Sequence, residues 1–453
     1  YPASMVASES GLTGLGRLLK QLLPGPFLHI AAFSFPISGL VAIYGQTLVN
    51  QLAMIGIDIP HFLLMLNFQG MHVHHLLQVV LSVAPSWAAH MLVDASAWAL
   101  GVDPAASAAV WWAAALPAVL SFAGVLFGFL LMPAADLLCG WDSTSMSEED
   151  ARKARRKAGY RVVLCMYVPL QLSMLLWALM TVAAGVPMLQ LIGITLSVGV
   201  TQGVAINAAH ELLHSPHALD RMFSQALLVP VFYMHWGCSH LAHHVQVATD
   251  RDPSSARKGE SFWSFLPRSI IGNVKDADRI ERQRLRRFKL PFWSLQNRWC
   301  IWGGVPLATV CLIASLFGTT PVIFYLIQGF VGVCMLEVVN YLEHYGLERQ
   351  QLRNGGYEKC SIQHSWNTDW FLSNAILFQL QRHTDHHMHA VRPYYALRSI
   401  KDAPQLPASY PAMMLLATIP PLWFYVMNPL VDKYNQRMKA EVVVEQAEDP
   451  PLN

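Results

Sequence analysis

Nine histidines recur at spacings that suit metal binding. His210 and His214 form HxxxH in AAHELLHSPH. His240, His243 and His244 form HxxHH in SHLAHHVQV, His344 stands in NYLEHYGLE, and His383, His386 and His387 form a second HxxHH in LQRHTDHHMHA. On a helix, residues three and four apart lie on one face, so each group aims its imidazoles at a common point. Imidazole binds iron, zinc, copper or nickel, and ring chemistry alone does not choose among them. The number does. Four ligands complete a tetrahedral zinc site, and nine exceed what one ion takes. Two ions sharing them as four and five keep positions open for oxygen, so a dinuclear iron centre is the reading.

The groups must be brought together by the segments that carry them. A membrane-crossing helix needs about 20 mainly apolar residues. Residues 108–132, 162–185, 187–208, 302–317, 320–342 and 411–427 qualify, 27–54 is a further span, and 61–83 is apolar but carries His72, His74 and His75. An all-α integral membrane protein with six to eight crossings is expected. The apolar patches 222–234 and 371–380 are too short to cross, so all four histidine groups return to one side of the bilayer. The basic runs Arg152–Lys157 and Arg279–Lys289 fall on that same side, which the positive-inside rule makes cytoplasmic.

Composition agrees. Of 453 residues, 54% are hydrophobic and only 13% charged, about half the charge of a soluble chain. Thirty-one basic against 29 acidic residues give +2, which argues against a nucleic-acid binder relying on overall charge. The seven cysteines form no CxxC pair, so neither a disulfide framework nor a thiolate metal site follows. Three regions are expected: an amphipathic surface segment over 1–26, a membrane-bound domain over 27–430 and a polar tail over 431–453.

Between Pro133 and Arg398, the motifs PAADLLCGWD, YVPLQ, NAAHELLH, HHVQVATDRDPSSARKGESFWSFLPR, NYLEHYGL and LQRHTDHHMHAVRPYYALR occur in one order. The chain resembles the integral-membrane alkane hydroxylases (alkane 1-monooxygenases) of the wider membrane desaturase and hydroxylase superfamily. The resemblance implies two irons held by His210, His214, His240, His243, His244, His344, His383, His386 and His387, which activate oxygen and place a hydroxyl group on a strong C–H bond. It implies no catalytic side chain beyond the ligands. The second group departs from the family's usual HxxxHH, which would begin at Ser239. Ser215 stands where the family commonly has lysine. Electrons are expected from rubredoxin or a similar carrier with its reductase; without CxxC pairs, this chain takes them from a separate protein, with Arg279–Lys289 as a docking candidate.

Ligating imidazoles normally give their other N–H to a carboxylate or carbonyl, which nominates Glu211, Glu343, Asp252, Asp385 and Asn340. The other histidines (29, 61, 72, 74, 75, 90, 217, 235, 364 and 389) are read as non-ligands. A fatty-acyl or other lipid hydroxylase, a desaturase or an aromatic-methyl monooxygenase would use the same centre. HELLH is also a zinc-protease signature, but a protease explains only two histidines. Metal transport sites tend to lie near the bilayer midplane, whereas these groups sit at span ends. Bacterial inner membrane and eukaryotic internal membrane both fit the sequence.

Overall fold

The computed structural model describes residues 10–12, 14, 17, 117–157 and 159–448, with side chains as far as residue 436. The expected segments 27–54 and 61–83, the start of 108–132 and nearly all of 1–26 lie outside these residues. So do His29, His61, His72, His74, His75 and His90.

Where apolar runs are long and free of charge, the backbone satisfies its own hydrogen bonds as helix, because a bilayer offers no alternative partners. Four such helices occur among the described residues: α3 (Gly159–Ala183) and α4 (Met188–Leu213), then α8 (Trp299–Phe317) and α9 (Thr319–His344). They correspond to four of the expected spans and make the protein multi-pass. Each pair forms a hairpin. Between α8 and α9 the turn is Gly318 at φ 85°, ψ −168°, a conformation that a side chain would oppose. α4 and α9 form the centre, and their backbones approach closely. A Cβ on Gly203 would lie 2.5 Å from the Met335 Cβ, and one on Gly199 2.5 Å from the Val331 Cβ. Gly203→Val is therefore expected to separate the two helices and lower the yield of folded protein.

Before the spans, α1 (Ala123–Cys139) is a short apolar helix containing a π-helical turn over Phe127–Leu131. β2 (Gly140–Asp142) pairs antiparallel with β1 (Ser10–Leu12), and α2 (Glu148–Ala154) leads into α3. After α4 the chain does not cross again until α8. It forms α5 (Ala218–Leu228), turns at Phe232 (φ 57°), and continues into α6 (Trp236–Gln246) and the long polar α7 (Phe262–Arg287). α10 (Phe371–Ile376) ends in the positive-φ residues Phe378 and Gln379, ahead of α11 (His383–Met388).

Residues 411–427 depart from expectation. They form two helices, α12 (Tyr410–Ala417) and α13 (Pro420–Glu448), not one crossing. Pro420 and Pro421 supply no N–H to the preceding turn, so the first helix stops. The start of α13 packs inward, with the Trp423 ring 5.1 Å from that of Tyr341. α13 also runs through residue 430, the expected domain boundary. Val431 is buried and Asn435 donates to the Gly346 carbonyl, so the first part of the polar tail is packed against the domain.

Candidate metal centre

The nine histidines converge. His210 and His214 close α4, His344 closes α9, and α6 and α11 bring three each. Their nitrogens form two sets, each with all its ligand atoms within 4.8 Å of one another: His210, His214, His240, His244 and His386, and His243, His344, His383 and His387. The division is five and four. Helix geometry explains how one HxxHH serves both sets. Its first and last histidines are one turn apart and face together, while the middle one is rotated by about 100° from its neighbour. On α6, His240 and His244 join the five-ring set and His243 the other. On α11 the roles reverse, with His383 and His387 in the four-ring set and His386 in the five-ring set.

Within each set, Nε2 atoms face one another. The separations are 2.9 Å for His210–His386, 3.1 Å for His214–His240, 3.0 Å for His240–His244 and 3.1 Å for His244–His386. In the other set they are 3.2 Å for His344–His383 and 2.9 Å for His383–His387. Burial, with neighbouring rings adding to it, holds His240, His244, His383, His386 and His387 well below the ordinary imidazole range. Neutral rings whose Nε2 atoms converge at about 3 Å fit a cation held between their lone pairs.

The outer nitrogens show which atom is left for the metal. His243 Nδ1 meets Asp252 Oδ2 at 2.8 Å, and Asp252 also accepts from Ser255 Oγ at 2.6 Å. Burial alone would raise the Asp252 pKa, but the His243 and Ser255 contacts outweigh it and hold the carboxyl below its usual value. His344 Nδ1 donates to the His364 carbonyl at 3.4 Å. Glu211 Oε1 lies 3.3 Å from His210 Nδ1, and Glu343 Oε1 3.3 Å from His383 Nδ1. Two nominated partners sit elsewhere. Asp385 accepts from Arg398 (N, Nε and Nη2 at 3.0, 3.1 and 2.8 Å) and faces no nitrogen of either set. Asn340 donates to Glu337 at 3.4 Å. Glu211 occupies the outer side of His210, not the side that a protease base would need.

Three contacts were not read from the sequence. Tyr410 donates to Glu343 at 3.1 Å, the Trp236 ring lies 4.5 Å from that of His240, and the His364 carbonyl receives His344. Only an i,i+4 relation such as Trp236–His240 leaves a sequence signal. The histidines read as non-ligands have other surroundings: His235 stacks on Trp299, the His364 ring accepts from the Ser361 N–H, His389 pairs with Asp385, and His217 is exposed. Ser239 donates to the Trp236 carbonyl, while His240 stands among the rings.

The fatty acid desaturase family pattern matches residues 185–417, which contain all nine histidines. Alkane 1-monooxygenase 1 of Pseudomonas aeruginosa is 40% identical over 74% of this chain and 89% of its own length. Alkane 1-monooxygenase of Acinetobacter baylyi is 36% identical over 69% and 77% respectively. The chain belongs to the fatty acid desaturase family, in its alkane 1-monooxygenase group. It is an alkane 1-monooxygenase-like oxidoreductase. The hydroxylase component of the xylene/toluene monooxygenase of Pseudomonas putida is also related, at 30% identity over 55% of this chain.

In this monooxygenase-like chain the rings close one end of an apolar pocket between α1, α4, α9 and α12, of about 810 Å³ with its mouth included. Phe129, Met132, Val204, Leu336 and Met414 line its walls, and His210, His240 and His383 reach it. That is the lining of a small-molecule site with a few convergent polar groups. Asp252→Asn would keep the shape beside His243 and lose the charge. An outer partner of this kind is worth roughly 10–100-fold in metal affinity, so the variant should release metal to a chelator at correspondingly lower concentration, measured by competition titration.

Proposed function

We propose that this protein hydroxylates a terminal C–H bond of an alkane, using O2, two iron ions held by the nine histidines, and electrons from a separate rubredoxin-like carrier. The observation that carries this reading is the position of the two histidine sets at the end of an apolar pocket. The relatives named as alkane 1-monooxygenases support the substrate class. The ring geometry supports the metal. One set would offer a metal five imidazole nitrogens, more than the four that complete tetrahedral zinc.

When bound, the irons would supply the oxygen activation; the protein's own residues orient the rings and exclude water. Asp252 holds the outer nitrogen of His243, so its Nε2 keeps its lone pair; Glu211 and Glu343 lie near the outer nitrogens of His210 and His383. The apolar pocket walls hold a hydrocarbon by burial, at about 25 cal/mol per Å². The centre faces the cytoplasm in this reading. The histidine ends of α4 and α9 share a side with both basic runs, since each lies across one hairpin from a run.

Iron-loaded protein given O2, a reduced rubredoxin and octane to hexadecane should yield 1-alkanols by gas chromatography. Products formed only from acyl substrates would overturn the alkane reading. Chain length can be tested at Gly128, which lines the pocket ten residues above His210 in level: its neighbour Val200 is about 15 Å from that histidine along α4. A Cβ there would meet only Val200 Cγ1, at 3.4 Å. Gly128→Leu should lower hexadecane turnover roughly tenfold against octane, with iron content unchanged.

A further inference from the structure

The protein must be reduced by its partner, and the structure offers two basic surfaces at the histidine end. They differ in how much charge is free. In the Arg279–Lys289 run, Arg279 pairs with Asp276, Arg282 with Asp278 and Arg284 with Glu281. Half of that run is neutralised within its own helix. Around α2, by contrast, the acids are taken by other cations: Glu148 binds Arg392, and Glu149 binds Lys153. Arg152, Arg155, Arg156 and Lys157 are exposed and meet no acid among the described residues.

The α2 surface also leads inward. The charge of Arg155 is felt at the Tyr395 hydroxyl. The Tyr395 ring stacks on Tyr160 at 4.1 Å, and Tyr160 meets Tyr394 edge-on at 6.1 Å. Tyr394 is buried, and its backbone N–H faces the Glu211 carboxylate, which lies 3.3 Å from His210 Nδ1. Three tyrosine rings, the Tyr394 backbone N–H and the Glu211 carboxylate thus lead from the α2 surface toward the five-histidine set.

We infer that the exposed cations of Arg152–Lys157 form the docking surface for a small acidic one-electron carrier, and that Tyr395, Tyr160 and Tyr394 are the route by which its electrons reach His210. This deepens the proposed function and rests on it. Each encounter oxidises one reduced carrier by one electron. Two encounters complete RH + O2 + 2 e⁻ + 2 H⁺ → ROH + H2O. Facing charges of opposite sign raise the encounter rate and make it salt-dependent. Tyr160 and Tyr395 are positioning residues for this transfer.

The test uses full-length, metal-loaded protein in nanodiscs of neutral lipid, with a reduced acidic rubredoxin as probe. Affinity is read by titration at several salt concentrations, and carrier oxidation by stopped flow. Arg152→Glu/Arg155→Glu/Arg156→Glu should weaken binding at least about tenfold at low salt and flatten the salt dependence, with iron content unchanged. Arg286→Glu/Arg287→Glu/Lys289→Glu, the control, should change binding less than about twofold. Tyr160→Leu should slow carrier oxidation at unchanged affinity, and Tyr160→Phe should restore it.

Loss of binding only in the control variant would overturn the inference and return docking to the end of α7. Unchanged binding in both would overturn it as well. Iron content, measured on every sample, separates this failure from failure of the di-iron reading, because carrier affinity can be read whatever metal is present.

Discussion

His344→Ala should reduce the iron content from about two per chain to about one and abolish hydroxylation. His344 is one of only four rings in its set, and the α9 end that supplies it supplies no other. Its Nδ1 is fixed by the His364 carbonyl and its Nε2 lies 3.2 Å from that of His383. Removing it leaves His243, His383 and His387 with a gap on one side. The five-ring set takes nothing from α9 and should keep its metal. Elemental analysis reads the first effect and product formation the second; an active variant retaining two irons would show that His344 is not a ligand.

A second large effect is expected one residue away from a small one. His240→Ala should lower iron retention and activity severely, because His240 Nε2 lies 3.1 and 3.0 Å from those of His214 and His244. Ser239→Ala should cost no more than about 1 kcal/mol of stability, since the hydroxyl only donates to the Trp236 carbonyl. The pair tests the departure from HxxxHH directly. It is also economical of geometry: in HxxHH the outer two rings are a full turn apart, as His383 and His387 are on α11. Equal and severe loss in both variants would mean that this turn of α6 matters for folding, not for its imidazole.

Much of this was legible in the sequence, for stateable reasons. α3, α4, α8 and α9 are apolar runs of 19–26 residues, and length with hydropathy is enough to predict such helices in a bilayer. The histidine groups are local patterns, and each is on a helix or at its end. What failed was adjacency treated as contact. Asp385 precedes His386, but a one-residue step turns the side chain by about 100°, and it faces Arg398 instead. Asn340 shares a helix face with His344 but is held by Glu337. Residues 411–427 have the hydropathy of a span; the break comes from two prolines that an average over the window does not weigh. The Tyr395–Tyr160–Tyr394 line joins segments more than 230 residues apart in sequence, and no local pattern announces it. The partner of His243 was easier, because Asp252 is nine residues from its ring.

The most direct test of the central claim is the metal content of the wild-type protein, purified in detergent without added metal and measured by elemental analysis. Two sets of imidazoles, five and four, predict about two irons per chain. One zinc per chain with no iron would contradict the dinuclear account and return HELLH to its zinc-protease reading.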